Sequence, residues 1–228
     1  MSKIFSFTLL LFCIFSHFSC ETIAPKDFEG FAARFVGEYR QLFPDESTLS
    51  MDNVFLGTLA IPTPTYFDSV RAFYRNYSGE LKQFDRSVVP PATLKGVQKV
   101  DNILKSVGNY LNDYTQNPQR FNVLYGFKRI MNTEYAREDY RAKTLLSKLA
   151  QVPLFYETAK QRLNNVNRQG ADAAIEQHFT TFLFFEEDLP TFFEQNEQIA
   201  PTQYQGQIEA AKLAVKDYVA YVESFRLN

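Results

Sequence analysis

The side chains able to do chemistry are few in this chain, and their spacing excludes more than it supports. Its 228 residues include two histidines, His17 and His178, and two cysteines, Cys13 and Cys20. A catalytic zinc site takes three protein ligands, and a zinc helix sets two histidines one turn apart on one face. No His-Glu-x-x-His occurs, so such a site would need almost all its ligands from carboxylates. No cofactor or metal is expected. His178 stands alone in Gln177-His178-Phe179 and reads as a structural histidine rather than a ligand. Glu186-Glu187-Asp188 could act as general acid and base or hold a cation; the plainer reading is a solvated helix face. One histidine near no obvious nucleophile makes no Ser-His-Asp set. Nine scattered glycines make no phosphate-cradling loop. Tyr66, Tyr74, Tyr77, Tyr110 and Tyr114 could line a groove for a peptide or glycan. The preferred reading places them in a helical core with their hydroxyls at its edge.

The chemistry expected with most support is a modification. Lys3 is a minimal positive start, and Ile4 to Phe15 is apolar apart from Ser6 and Thr8. That run is too short for an ordinary membrane span and reads as a cleaved signal. Ser19-Cys20 at its end resembles the cut of a bacterial lipoprotein signal, with His17 where a strict signal prefers Leu. The resemblance implies cleavage before Cys20 and lipidation of its thiol, and a triacylated N-terminus anchors stably. An ordinary secretory cut and an uncleaved anchor are the alternatives. Cys20 would be the one cysteine left, so no internal disulfide can form and the fold must stand on its core.

Helical periodicity supplies that core. A hydrophobic share of 45% and a net charge of −2 suit an ordinary globular protein. No basic face is implied, so no nucleic-acid partner is expected. Asp27 to Phe43 carries Phe28, Phe31, Phe35, Tyr39 and Leu42 on one face. Pro44 to Pro64 is a loop, long enough to be packed or functional. Thr65 to Ser87 and Thr93 to Tyr114 are the next helices. Pro118, with Asn117 as N-cap, opens a helix whose face holds Phe121, Leu124, Tyr125 and Met131, widened by Phe127 and Ile130. Thr133 caps the following one, whose core face runs Tyr140, Leu145, Leu149, Val152, Tyr156, Ala159 and Leu163. Pro153 lies inside that pattern and predicts a kink or break near Gln151. Gln169-Gly170 is a break, Ala171 to Leu189 a helix continuing past Pro190 to about Asn196, and Pro201 to Phe225 the last. No alternating run competes. The expected class is all-α: an irregular bundle of six to eight helices with proline kinks. The expected organisation is a lipoprotein signal over 1–19, a tether over 20–27 and a single helical domain over 28–228.

Several of these stretches together resemble a known family. They are Phe43-Pro44-Asp45-Glu46-Ser47-Thr48, Asn117-Pro118-x-x-Phe121, Leu149-x-x-Val152-Pro153-x-x-Tyr156-x-x-Ala159-Lys160-x-x-Leu163, and Ala174-Ile175-Glu176-Gln177. Their order and spacing are similar to the N-terminal helical half of the bacterial domain-of-unknown-function family numbered 885, common in envelope lipoproteins. Lys148 stands where that family usually has Arg. The family's zinc helix lies in its other half, and nothing here matches it.

The resemblance implies a lipid-anchored protein of the bacterial envelope, on the outer or inner membrane and facing the periplasm or the surface. It would be non-catalytic, with a binding or scaffold role. Its partners would be the membrane, through the N-terminal lipid, and a protein or peptide. The alternative is one subunit of a split zinc-dependent hydrolase whose metal half is on another chain.

Overall fold

The computed structural model describes residues 27–87 and 89–226. The signal, Cys13, His17 and Cys20 lie outside the described residues. Nine α-helices are present among those described: α1 Phe28–Leu42, α2 Pro64–Leu81, α3 Pro91–Asp113, α4 Leu124–Asn132, α5 Glu138–Leu149, α6 Val152–Lys160, α7 Arg168–Leu183, α8 Leu189–Glu194 and α9 Pro201–Glu223. Among the described residues there is no strand. The backbone stays right-handed helical between α5 and α6. A π-helical turn, Phe184–Asp188, makes α7 and α8 one continuous rod. The fold is therefore an all-α bundle of seven rods.

Local chemistry sets the starts. Asp27 caps α1 through Gly30 N–H, and Thr63 caps α2 through Tyr66 N–H. Proline opens α2, α3 and α9, where its missing donor costs nothing. Pro153 falls in the first turn of α6, so the kink or break predicted near Gln151 takes the form of an interruption in the helical bonding at Ala150-Gln151 within a rod that continues. Gln151 then stitches the break. Its amide donates to the Ser147 and Gly57 carbonyls and its side-chain oxygen accepts from Leu59 N–H.

Several boundaries differ from the periodicity. Residues 118–120 form only a 3-10 turn, and α4 begins at Leu124 because the Asn122 side chain accepts from Leu124 N–H. The α4 face is rotated from the predicted one: Phe127 and Ile130 are buried and Tyr125 is 60% exposed. Thr133 does not cap α5, which starts five residues beyond it, after Arg137; it closes the C-terminus of α4 instead, its N–H donating to the Arg129 carbonyl. Gln169-Gly170 is the first turn of α7, capped by Asn167. The true break lies just before it, where Asn165 has a positive φ of 49°. α2 stops at Leu81 so that Phe84 can fold back onto Phe31, 5.2 Å between ring centroids.

Two apolar clusters result. One joins α1, α2 and α3 through a stack of rings, with Phe31, Phe35, Phe73 and Tyr77 all buried. The other gathers α4 to α9 around Phe127, Leu145, Tyr156, Phe185 and Tyr218. Each fully buried ring or branched side chain contributes on the order of 1.5–3 kcal/mol, and no disulfide is needed. The clusters meet at Tyr66, Tyr110 and Leu111, which pack on both.

Candidate functional site

A cleft of about 260 Å³ opens where the two clusters meet. Its walls come from the end of α1 and the loop after it (Phe43 to Glu46), from α2 and α3 (Tyr66, Tyr110) and from the segment leading into α4 (Gln119 to Tyr125). Each wall is held by named contacts.

The loop wall is held by two cations, Lys148 and the half-buried Arg129. The side chain of Lys148 is fully buried. Its ammonium donates to the Thr58 and Leu56 carbonyls and lies 2.6 Å from Asp45 Oδ1. Arg129 donates to the Asp45 and Ser47 carbonyls. Inside the loop, buried Asn53 donates to Ser47 Oγ and to the Thr48 carbonyl. The loop is thus packed, as its length predicted, by polar side chains together with the buried Leu56 and Leu59.

The opposite wall is held from beneath. His178, wholly buried, sets Nε2 2.8 Å from the Phe121 carbonyl and Nδ1 2.7 Å from the Ala174 carbonyl. Tyr218 OH donates to the Pro118 carbonyl at 2.9 Å. Asn122 and Thr181 bond each other across α7. His178 is therefore a structural histidine, packed against the Tyr156 and Tyr218 rings. Burial holds its pKa below the ordinary imidazole value, partly offset by its two carbonyl partners.

Polar groups remain available in the cleft. Tyr39 OH donates to Glu46 at 2.8 Å, leaving the other carboxylate oxygen of Glu46 toward solvent. Tyr66 OH donates to the Leu42 carbonyl. Burial raises the pKa of the Tyr66 and Tyr110 phenols well above the ordinary value, so both stay neutral at physiological pH. Arg120 is tied to Asp113 through two nitrogens, at 3.0 and 2.9 Å, and sits over the Tyr110 ring. Tyr125 presents an exposed ring, with Arg129 on its face at 5.6 Å. The cleft thus offers aromatic faces, the carboxylates of Glu46 and of Asp45, the latter already paired with Lys148, and the amides of Gln119 and of Asn122, the latter already bonded to Thr181.

Of the tyrosines singled out in the sequence, Tyr66 and Tyr110 reach this cleft. Tyr77 is core, its hydroxyl on Glu38. Tyr114 stacks on Phe67 at 3.7 Å, and Tyr74 lies on another surface beside Ser78 and Lys105. Tyr66, Tyr77, Tyr110 and Tyr114 pack in or against the core, as the preferred reading had it, with Tyr66 and Tyr110 also reaching the cleft; the reading is corrected for Tyr74, which is 37% exposed. Tyr125, Glu46 and Gln119 were missed as site residues, because Tyr125 was assigned to the buried face of α4. Glu186, Glu187 and Asp188 form an exposed turn, as the plainer reading had it, with Glu186 3.4 Å from Lys212. No group of three or more His, Cys, Asp or Glu side chains suited to a metal occurs among the described residues. No helix among them is long and apolar enough to cross a membrane.

No family model and no curated protein matches the chain. A solved structure does: a candidate lipoprotein of unknown function from Shewanella oneidensis, 22% identical, with a TM-score of 0.74. The match covers 87% of this chain and 37% of the other, so this chain spans well under half the length of that protein. At this identity the likeness is one of fold.

Proposed function

We propose that the chain is a lipid-anchored envelope protein that binds a saccharide in the cleft between its two helical clusters. The observation that carries the binding role is the set of side chains meeting there: Tyr66, Tyr110 and Tyr125 with Glu46 and Gln119. A sugar ring has an apolar C–H face suited to an aromatic ring and hydroxyls suited to carboxylate and amide. A peptide fits less well. Extended peptides add to sheet edges, and amphipathic helices need a continuous apolar groove; this cleft supplies neither. The anchor is supported by the apolar leader ending at Cys20 and by the structural neighbour's description as a lipoprotein. The likeness to the family numbered 885 belongs to the same reading: one helical half, serving binding without the metal half.

The test is titration with chitotriose and with maltotriose, followed by tyrosine fluorescence, which is unobscured because the chain has no Trp. Saturable binding lost in Tyr125→Ala is expected. Failure of both sugars, with tight binding of a peptide instead, would overturn the ligand class. The anchor is tested apart from it: an alkyne-labelled fatty acid should enter the wild-type chain and not Cys20→Ser.

A second reading is favoured by one observation, the 37% coverage of a longer neighbour. In it a separate chain supplies a zinc-bearing half. Peptide hydrolysis appearing only when a second envelope protein is added to the zinc-loaded chain would support it.

A further inference from the structure

The α7 and α9 helices lie antiparallel, in a register fixed by three contacts. Arg226 pairs with Asp172 at 2.7 Å, the His178 and Tyr218 rings lie 4.8 Å apart, and Lys216 sits 4.6 Å from the centroid of the Phe182 ring. Between the helices runs an open groove of about 370 Å³. Phe179 stands in it 60% exposed, beside Val219. A single exposed ring is ordinary on a surface, but this one continues into Ile175, Phe182, Val215 and Val219, apolar over two helical turns.

The charges at the two ends of the groove differ in sign. Lys216 lies at one end and Glu223 and Glu176 at the other. All three are exposed, and among the described residues none of them takes part in an ion pair. Lys216 and Glu223 stand seven residues apart on α9, about 10 Å along its axis. Phe179 and Val219 fall between them.

That arrangement is self-complementary. A two-fold axis through Phe179 and Val219 carries Lys216 of one copy onto the position facing Glu223 and Glu176 of the other, and the reverse. Phe179 then meets its own counterpart at the centre. An isologous interface requires this: one patch that complements itself under rotation. An aromatic centre with a charged rim is also the usual anatomy of a stable contact. We infer that this face is the dimer interface of the protein and that its occupant is a second copy of the chain.

Sedimentation equilibrium of the full chain in density-matched detergent tests this. The wild type is expected to be a dimer. Phe179→Glu should weaken the dissociation constant at least about thirty-fold, the loss typical of a central aromatic anchor. Lys216→Glu and Glu223→Lys should each weaken it as well, and the double variant should recover part of each loss, because positions 216 and 223 again face opposite signs while Glu176 still opposes the new carboxylate. Leu154→Glu, at another exposed apolar residue, should change nothing. These side chains are exposed, so far-UV dichroism should be unaltered in every variant. A monomeric wild type, a dimer indifferent to Phe179→Glu, or single charge reversals not even partly rescued by the double variant would overturn the inference. A monomer that instead carries a different protein on this face would overturn it equally.

Discussion

Lys148 Nζ lies 2.6 Å from Asp45 Oδ1, and the lysine side chain is fully buried while the aspartate keeps 28% of its surface exposed. This pair fastens the loop between α1 and α2 to α5, and with it one wall of the cleft. An ammonium buried so completely is tolerable because two backbone carbonyls, of Leu56 and Thr58, take its remaining protons. The Asp45 contact is ionic rather than a well-directed hydrogen bond, since Asp45 Oδ1 makes none. Lys148→Met should therefore cost about 3 kcal/mol, the low end for breaking a buried pair, because Asp45 can still find water. Urea denaturation measures the loss. Limited proteolysis should cut the variant first between residues 44 and 63.

The same aspartate explains a glycine. A Cβ on Gly126 would lie 2.0 Å from Asp45 Oδ1 and 2.3 Å from its Cγ. Alanine would raise helix propensity in α4 by about 1 kcal/mol, but it must push Asp45 away from Lys148. Overpacking of this kind costs about 1–3 kcal/mol, so Gly126→Ala should be destabilising on balance. Gly79→Ala, in α2, is the control: nothing lies within 4 Å of its added Cβ. It should stabilise by roughly 0.5–1 kcal/mol. Thermal melts of the two variants should move in opposite directions.

His178 gives the protein a defined pH dependence. Both its nitrogens face carbonyl oxygens, which would suit an imidazolium, but burial is the larger effect and lowers the pKa. A histidine with a depressed folded pKa binds protons less readily in the folded state than in the unfolded one. Stability is then fully present above the unfolded value of about 6.5 and falls as pH drops below it toward the folded value. The urea midpoint should be lower at pH 5.5 than at pH 7.5. His178→Gln, which keeps a donor for the Phe121 carbonyl, should lose this difference. A midpoint that rises on acidification would mean that the two carbonyls hold the ring protonated.

Much of the bundle was legible because burying a helix face leaves a stripe. Leu145, Leu149, Val152, Tyr156 and Ala159 are all buried as spaced, and Pro153 marked the α5–α6 break because a proline cannot be satisfied mid-helix. What escaped depends on contacts distant in sequence. The start of α4 is set by Asn122 bonding to Thr181, and a displaced start rotates the whole face, so Tyr125 points out and Phe127 in. Lys148 was visible only as a departure from an expected Arg; no periodicity rule places a lysine in a core. The loop after α1 could be read as packed but not as one wall of a cleft. The π turn at Phe184–Asp188 leaves no local signature, since its residues also suit an α-helix.

The cleft itself yields the last prediction, because its aromatic residues differ in what they support. Tyr125 is 60% exposed and its hydroxyl bonds nothing among the described residues. Its removal should leave stability within about 0.5 kcal/mol, as for most surface changes. Tyr110 is different. Its ring lies 5.7 Å from Phe67 and 6.4 Å from Phe43, between the two clusters. Tyr110→Ala should cost about 3 kcal/mol, the low end for deleting a buried aromatic ring, and would confound a binding assay by loosening the cleft. Tyr110→Phe keeps the packing and removes only the hydroxyl. If the cleft binds sugar through ring faces, chitotriose or maltotriose affinity should survive Tyr110→Phe within about three-fold and fall at least about ten-fold in Tyr125→Ala, a loss of about 1.4 kcal/mol. If affinity instead collapses in Tyr110→Phe and persists in Tyr125→Ala, recognition runs through the buried hydroxyl, and the ring-stacking geometry proposed for this site is wrong.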